Sequence, residues 1–157
     1  MTKRILVMGL PGAGKTTFTQ DLVKILMLTH SVSWFNADIV REKYNDWDFS
    51  PEGRLRQVKR MRELAETSNA DYAICDFICP TEEYRKVFDA DITIFMDTID
   101  TGRFEDTNKV FERPWHTSYK VTNWDQTNDI IENLFAAYVK DRKSTRLNSS
   151  HRCISYA

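Results

Sequence analysis

The sequence is poor in cysteine, and it has no long apolar run. Its 157 residues include only three cysteines, five glycines and four prolines. The cysteines, at positions 75, 79 and 153, have neither a metal-ligand spacing nor a framework pattern, so a disulfide-rich fold and a zinc site are excluded. No apolar segment reaches the roughly 18 residues that a membrane helix needs. The chain also has no internal repeat, and no low-complexity stretch before residue 141.

An excess of charge of one sign is lacking too. Lys+Arg number 22 and Asp+Glu 23, which gives a formal charge of −1 and argues against non-specific nucleic-acid binding as the main role. The length predicts one domain with a sizeable core. The basic N-terminus is followed by an apolar run at residues 5–8 only and then by a glycine-rich turn. We therefore predict no export signal, no membrane association and a cytoplasmic protein.

The last seventeen residues differ in character from the rest. Residues 141–157 are crowded with Ser, Arg and Asn and have no apolar periodicity. The string resembles the translation of a widely used sequencing-library adapter, so we interpret it as a non-native, disordered tail. Without it, residues 1–140 carry 18 basic and 22 acidic side chains, a net charge of −4.

Strand and helix patterns alternate along residues 1–140. Apolar runs predict strands at residues 3–8, 31–36, 72–75, 92–96 and 119–122. Helical spacing predicts helices at residues 15–28, 39–44, 51–68, 81–88 and 126–139. This alternation predicts an α/β domain with a mostly parallel sheet of about five strands and helices on both faces. Residues 98–114 are too long for a plain connection, so we expect an irregular lid there.

A phosphate-binding motif follows the first strand. Residues 9–16 match G-x-x-x-x-G-K-[ST] between a predicted strand and a predicted helix, which is the P-loop context. Lys15 would reach the β- and γ-phosphates, and the hydroxyl of Thr16 would bind Mg²⁺. The motif predicts the three-layer P-loop NTPase sandwich and ATP with Mg²⁺, although it does not by itself separate a kinase from an ATPase. The predicted nucleotide-binding residues are Gly9, Leu10, Pro11, Gly12, Ala13, Gly14, Lys15, Thr16 and Thr17.

Two carboxylates follow predicted strands. Asp38 comes after the second strand and Asp76 after the third. Ligands of open α/β sheets bind at the carboxyl ends of the strands, so both should face the phosphate loop. Asp38 could act as a base or a Mg²⁺ ligand, or it could cap the helix at 39–44. Asp76 could bind Mg²⁺ or order a water molecule.

The helix at 51–68 carries five basic side chains. We expect most of them on a solvated face, whereas Arg54 lies at the end near the phosphate loop, where a doubly anionic substrate would need it. Phe49 could stack on a base or pack in the core. Cys79 has no neighbouring histidine in the sequence, so a nucleophilic role is not expected.

Taken together, three segments resemble the adenylyl-sulfate (APS) kinase family. They are N-A-D-x-V-R at residues 36–41, D-F-S-x-x-x-R at residues 48–54 and F-I-C-P at residues 77–80. The resemblance implies transfer of the γ-phosphoryl group of ATP to the 3′-hydroxyl of adenylyl sulfate, and a possible homodimer. It implies that Lys15 and Asp38 are catalytic, that Arg41 and Arg54 hold the phosphosulfate, and that Phe49 contacts the adenine. The full implied substrate set is Asp38, Arg41, Phe49, Arg54, Gln57, Ile78 and Cys79.

The lid segment departs from that family. The pattern R-D-x-K-G-L-Y is absent, and residues 102–108 read G-R-F-E-D-T-N instead. We take Arg103, Phe104 and Lys109 as lid candidates. Two alternatives stay open: a P-loop kinase with another acceptor (a nucleotide, a sugar or a polynucleotide 5′-hydroxyl), and a nucleotide-binding module without turnover.

Overall fold

The structure, a computed structural model, describes residues 1–139 and 153–156. Its strands are β1 (Lys3–Met8), β2 (Val32–Asn36), β3 (Tyr72–Asp76), β4 (Ile92–Met96), β5 (Tyr119–Val121) and β6 (Cys153–Tyr156). Its α-helices are α1 (Lys15–Leu26), α2 (Ala37–Tyr44), α3 (Pro51–Glu66), α4 (Glu82–Phe88), α5 (Glu105–Val110) and α6 (Thr127–Leu134). A 3₁₀ turn at Trp124–Gln126 precedes α6, and a π-helical turn at Phe135–Val139 follows it.

The strands form one parallel sheet in the order β5-β4-β1-β3-β2-β6. β1 lies between β3 and β4, and its inner residues are fully buried because helices cover both faces. In register, Val7 of β1 pairs with Asp76 of β3, which in turn pairs with Asn36 of β2. The carboxyl ends of these three strands therefore meet at one edge. The predicted α/β class and parallel sheet are confirmed.

Two apolar layers enclose the sheet. On one face, Phe18 and Leu22 of α1 pack with Ile131 and Leu134 of α6. The other face carries Phe35, Val58, Met61, Tyr84 and Phe88, which come from β2, α3 and α4. Because parallel β-α-β units cover both faces, the loops after the strands remain free to build a site.

Three of the described α-helices start at a side-chain cap. The side chains of Ser50 and Thr81 accept hydrogen bonds from the backbone N–H of the third residue of α3 and α4, respectively. The alternative that Asp38 caps the second helix is wrong. That helix begins at Ala37, and Oδ1 of Asn36 accepts the bond from the backbone N of Ile39 at 3.1 Å. Asp38 instead lies in the first turn.

Residues 98–114 are not wholly irregular, so that expectation is wrong for α5. Asn108 on α5 exchanges two hydrogen bonds with the backbone of Gly102, at 2.8 and 2.9 Å. This reciprocal pair closes a turn that the local sequence does not reveal. The predicted closing helix is also divided, since only its middle part is α-helical.

Four residues of the tail lie in a strand, whereas the non-native origin of residues 141–157 stays a prediction. Cys153–Tyr156 form β6 on the outer edge of β2, in parallel register with Val32–Phe35. An open edge strand presents unpaired backbone groups that any extended segment can satisfy, which is the physical reason. Residues 141–152 and 157, which carry the rest of that prediction, lie outside the described residues, as does residue 140. None of the described helices has the length and apolarity to cross a bilayer.

Candidate active site

The phosphate loop turns sharply between β1 and α1. Gly9, Gly12 and Gly14 have positive φ angles of 152°, 90° and 93°. A Cβ on Gly9 would lie 2.7 Å from the carbonyl oxygen of Met96, so the backbone there requires glycine. The loop ends at the N-terminus of α1, whose free N–H groups and positive dipole end favour an anion. Its shape therefore suits a phosphate chain.

Lys15 is the first residue of α1, and its side chain reaches back over this loop. Its Nζ donates to the carbonyl oxygen of Leu10 at 2.9 Å, within the loop itself. Burial lowers the pKa of Lys15 to about 8, although the charges of Asp76 and Asp38 oppose this shift. The ammonium group is thus poorly solvated and has a neutral acceptor as its hydrogen-bond partner. An anionic phosphate would satisfy it better.

Asp76 ends β3 beside the phosphate loop and is buried. Its Oδ2 accepts a bond of 2.6 Å from the indole of Trp34, and its Oδ1 accepts one of 2.8 Å from Nδ2 of Asn36. Burial raises the pKa of Asp76 to about 7, against the effect of these hydrogen bonds and of Lys15. The same Nδ2 also lies 3.2 Å from the hydroxyl oxygen of Thr16. Asn36 therefore links the phosphate loop to Asp76.

The oxygen donors around Thr16 suit Mg²⁺. Magnesium in nucleotide sites is held by one or two carboxylates together with substrate phosphates, not by an all-protein cage. Within the described residues, no group of three or more His, Cys, Asp or Glu side chains could form such a cage. The hydroxyl of Thr16 and the carboxylates of Asp76 and Asp38 would supply the protein's share.

A cavity of about 480 Å³ opens from the phosphate loop. Its nucleotide side is formed by the loop and by the ends of β2 and β3, including Lys15, Thr16, Asp38 and Asp76. Its opposite side is formed by α3, by the loop after β3 and by the segment before α5. The lining residues on that side are Arg41, Phe49, Arg54, Gln57, Val58, Phe77, Ile78, Cys79, Pro80, Arg103, Phe104, Asp106 and Thr107.

Two buried guanidinium groups flank an aromatic ring on the opposite side. Arg41 is 5% exposed and Arg54 is 8% exposed, and their Cζ atoms lie 4.3 and 5.5 Å from the ring centroid of Phe49. Burial lowers the pKa of both arginines. Phe49 is 46% exposed, so it is not a core residue, and its ring borders the cavity. This cluster suits an anionic group attached to a flat ring system.

Backbone carbonyls hold both arginines in place. Nη1 of Arg41 donates to the carbonyl oxygens of Asp46 and Asp48, at 2.9 and 3.2 Å. Nε of Arg54 donates to the carbonyl of Phe49 at 2.8 Å. Gln57 is positioned by a bond from its Nε2 to the carbonyl of Ala37 at 3.2 Å. The opposite side of the cavity is thus ordered by its own backbone.

The other basic residues of α3 are used elsewhere. Arg56 and Arg60 both bond to the carboxylate of Asp46, at 2.7 and 3.0 Å, and Arg62 pairs with Glu66. None of these arginines borders the cavity. The expectation that most of this basic run lies outside the pocket while Arg54 faces it agrees with the geometry.

The structure places two of the three lid candidates at the cavity. Arg103 and Phe104 border the cavity, whereas Lys109 does not, because it lies on the exposed side of α5. Thr107 takes a place at the cavity instead, and its hydroxyl oxygen is 3.5 Å from Nη2 of Arg54. Ile78 and Cys79 also border the cavity. Burial raises the pKa of the Cys79 thiol, which agrees with an unreactive side chain.

Sequence reasoning missed several residues of the site, and four of them make specific contacts there. The sequence shows Asn36 only as part of a motif and Trp34 only as part of a strand, although their side chains donate hydrogen bonds to Asp76. The indole of Trp124, in the 3₁₀ turn after β5, lies against Gly14, where any Cβ would overlap it. Thr107 comes from the unpredicted helix α5. A polar or aromatic residue at a strand end is the available signal, but only the fold shows what it meets.

A P-loop that faces a cation-bearing cavity at the carboxyl ends of a parallel sheet defines a P-loop phosphotransferase. The family model for adenylylsulphate kinase matches residues 1–108, more than half of the chain. The chain therefore belongs to the adenylylsulphate kinase family and is an ATP-dependent kinase. No curated protein sequence matches it.

Solved structures share this fold at low identity. The Mycobacterium tuberculosis APS kinase CysC in complex with AMPPNP and APS is 19% identical, with a TM-score of 0.69, over 85% of this chain and 97% of that one. A cysteine-to-alanine mutant of the same enzyme is 20% identical, with a TM-score of 0.65, over 86% of this chain and 95% of that one. An unliganded sugar kinase from Janibacter sp. HTCC2649 is 15% identical, with a TM-score of 0.58, over 87% of this chain and 94% of that one.

Proposed function

We propose that this chain transfers the γ-phosphoryl group of ATP to the 3′-hydroxyl of adenylyl sulfate. One observation supports this most strongly. Arg41 and Arg54 are almost fully buried beside the cavity, yet within the described part of the chain neither forms an ion pair. Buried cations normally have an anionic partner, because an unpaired buried charge is costly. A phosphosulfate group would be that partner, and the adenine would stack on Phe49.

The nucleotide side would hold ATP. Backbone N–H groups of the phosphate loop and the ammonium of Lys15 would bind the β- and γ-phosphates, as the P-loop chemistry requires. Mg²⁺, held through Thr16 with Asp76 or Asp38, would neutralise phosphate charge when bound. The hydrogen bonds of Asn36 would keep Thr16 and Asp76 in fixed relative positions.

The reaction forms one bond and breaks one. The 3′-oxygen of the acceptor bonds to the γ-phosphorus as the bond from that phosphorus to the bridging oxygen of ADP breaks. The hydroxyl proton passes to the carboxylate of Asp38, which is exposed at the cavity in the first turn of α2. Lys15 and the cavity arginines would stabilise the charge that spreads over the transferred group.

A neutral sugar is a weaker candidate for the acceptor, although a sugar kinase shares the fold. It would leave both buried guanidinium groups without an anion. The implied homodimer and cytoplasmic location remain predictions, as does the absence of nucleic-acid substrates.

The test is ADP release by the purified protein with ATP, Mg²⁺ and one acceptor at a time. The acceptors are adenylyl sulfate, adenosine, gluconate and a 5′-hydroxyl oligonucleotide. We expect turnover with adenylyl sulfate and loss of at least about 10²-fold in kcat for Asp38→Asn. Turnover with another acceptor only, or ADP release that no acceptor stimulates, contradicts the proposal.

A matched pair of arginine variants tests whether a buried arginine beside the cavity binds the acceptor. Arg54→Gln should raise KM for adenylyl sulfate by at least about tenfold, because a charge-assisted contact is lost, and should leave KM for ATP nearly unchanged. Arg62→Gln removes an arginine from the same helix that pairs with Glu66 outside the cavity, so both KM values should stay near wild type.

A further inference from the structure

One arginine behind the acceptor side of the cavity ties three backbone carbonyls together. Nε of Arg85, on α4, donates to the carbonyl of Cys79 at 3.0 Å, and Nη2 donates to the carbonyls of Pro80, at 3.1 Å, and Glu112. Nη1 bonds to the carboxylate of Glu82 at 3.1 Å. The side chain of Arg85 is 8% exposed. It does not border the cavity, so these contacts are structural neighbours of the site and not part of it.

The first carbonyl belongs to a residue in an unfavourable conformation. Cys79 has a φ of 45°, in the left-handed region, although it carries a Cβ. Such a conformation persists only where surrounding contacts over-determine it. The guanidinium of Arg85 supplies two of those contacts, at Cys79 and at Pro80. Both residues border the cavity.

The third carbonyl lies on the segment that follows α5. The backbone N of Glu112 donates to the carbonyl of Pro80 at 2.7 Å, and the Glu112 carboxylate accepts from the backbone N of Glu82 at 3.1 Å. Phe111, next to Glu112, stacks on Phe95 of β4 with ring centroids 6.0 Å apart. The end of α5 is thereby fixed to the loop that follows β3.

We propose that Arg85 is a positioning residue that holds the acceptor loop, residues 77–80, and the end of α5 together as one wall of the cavity. It acts through the backbone of Cys79, Pro80 and Glu112, and it touches neither substrate. This inference rests on the proposed function for its kinetic test, because it locates the effect at the acceptor and not at ATP.

The kinetic test compares Arg85→Gln with Arg62→Gln. Arg62 also donates to a carbonyl of α4, that of Val87, at 2.9 Å, but at the end of the helix opposite to the acceptor loop. We expect Arg85→Gln to raise KM for the acceptor about tenfold, because hydrogen bonds to a charged donor are lost, with KM for ATP within about twofold of wild type. Equal rises in both KM values, or a similar effect of Arg62→Gln, would overturn the proposal.

A second substitution, at Cys79, tests whether Arg85 acts by stabilising the left-handed backbone conformation of that residue. Glycine adopts positive φ without a penalty, so Cys79→Gly should restore part of the acceptor KM in the Arg85→Gln background. Cys79→Ala removes the same thiol and keeps the Cβ, so it should not. If the glycine and alanine double variants behave alike, Arg85 does not act by stabilising the left-handed residue.

Thiol labelling tests the proposal without any acceptor. Cys79 is 1% exposed, and Cys75 in β3 is fully buried and serves as the internal reference. With iodoacetamide and peptide mass analysis, we expect the labelling rate of Cys79 to rise at least about tenfold in Arg85→Gln while that of Cys75 does not change. Unchanged labelling of Cys79, or a parallel rise at both cysteines, refutes local positioning.

Arg85→Lys keeps the charge but cannot reach all three carbonyls, and it serves if the glutamine variant does not fold. It should show the same labelling pattern with a smaller rise, and a wild-type rate in a folded lysine variant also refutes the proposal. Because labelling needs no phosphoryl acceptor, it separates a failure of this inference from a failure of the proposed function.

Discussion

Binding of a nucleotide should change the charge of Lys15, and the change can be counted in protons. Burial lowers its pKa to about 8 in the free protein, where Nζ bonds to the neutral carbonyl of Leu10. A phosphate anion at hydrogen-bond distance favours the ammonium form and raises the pKa again. Near pH 8 the complex should therefore take up a proton from solvent as it forms.

The magnitude follows from the pKa of about 8 for Lys15. If the pKa of the complex returns to the ordinary range above 10, the uptake per nucleotide is about 0.1 proton at pH 7, about 0.5 at pH 8 and about 0.9 at pH 9. Asp76, with a pKa of about 7, is almost fully ionised at pH 9, so its contribution falls as that of Lys15 rises. An uptake that grows with pH is thus specific to the lysine.

Isothermal titration of ADP without divalent metal measures this uptake. The observed enthalpy is compared at each pH in two buffers that differ in ionisation enthalpy, and the slope gives the number of protons. Lys15→Arg is the matched control, because arginine stays charged throughout this range. An uptake below about 0.2 proton at pH 9, or equal uptake by the arginine variant, would refute the reasoning.

Three other substitutions probe the same site. Lys15→Met should abolish turnover, yet at pH 7 it should raise the free energy of unfolding by about 1–3 kcal/mol in urea titrations, because a desolvated charge is removed. Since the folded-state pKa of Lys15 is lowered, this gain in stability should shrink between about pH 8 and pH 10.5. A loss of stability at pH 7 would contradict the prediction. Asn36→Ser keeps a cap on α2 but loses both bonds of Nδ2, so kcat should fall about tenfold; full turnover of the serine variant is the contrary result. Asn36→Ala also loses the cap, so it should be less stable than the serine variant by about 1 kcal/mol in urea titrations. Gly14→Ala should displace Trp124 and strain a φ of 93°, so tryptophan fluorescence and ADP affinity should both change, and wild-type values for both would show that the contact is dispensable.

The strands and most helices follow from the sequence because their signals are local. β1 and β4 have the predicted bounds, and Ser50 and Thr81 cap the helices they precede. α5 could not be predicted, since it has six residues and depends on the Asn108–Gly102 pair. β6 depends on an open sheet edge that lies far away in the chain.

The candidate site likewise contains residues that local motifs predict and residues that depend on distant contacts. The phosphate loop is a contiguous motif, so its residues and their neighbours at the strand ends could be predicted together. Arg85, Asn36 and Trp124 act through contacts with residues distant in sequence, and no spacing rule reveals such partners. The functional roles of the predicted residues remain predictions until the variants above are measured.

The distribution of charge shows why net charge is a poor guide to the acceptor. Residues 1–140 carry four more acidic than basic side chains, yet buried cations border the cavity opposite the phosphate loop. α3 supplies Arg54 to that cavity but directs Arg56 and Arg60 to Asp46 on the outside. The carboxylate of Asp46 thus neutralises two arginines that could otherwise attract the proposed anionic acceptor away from the cavity. The proposed substrate anion would bind beside the arginines that have no carboxylate partner among the described residues. Only the fold shows which arginines these are.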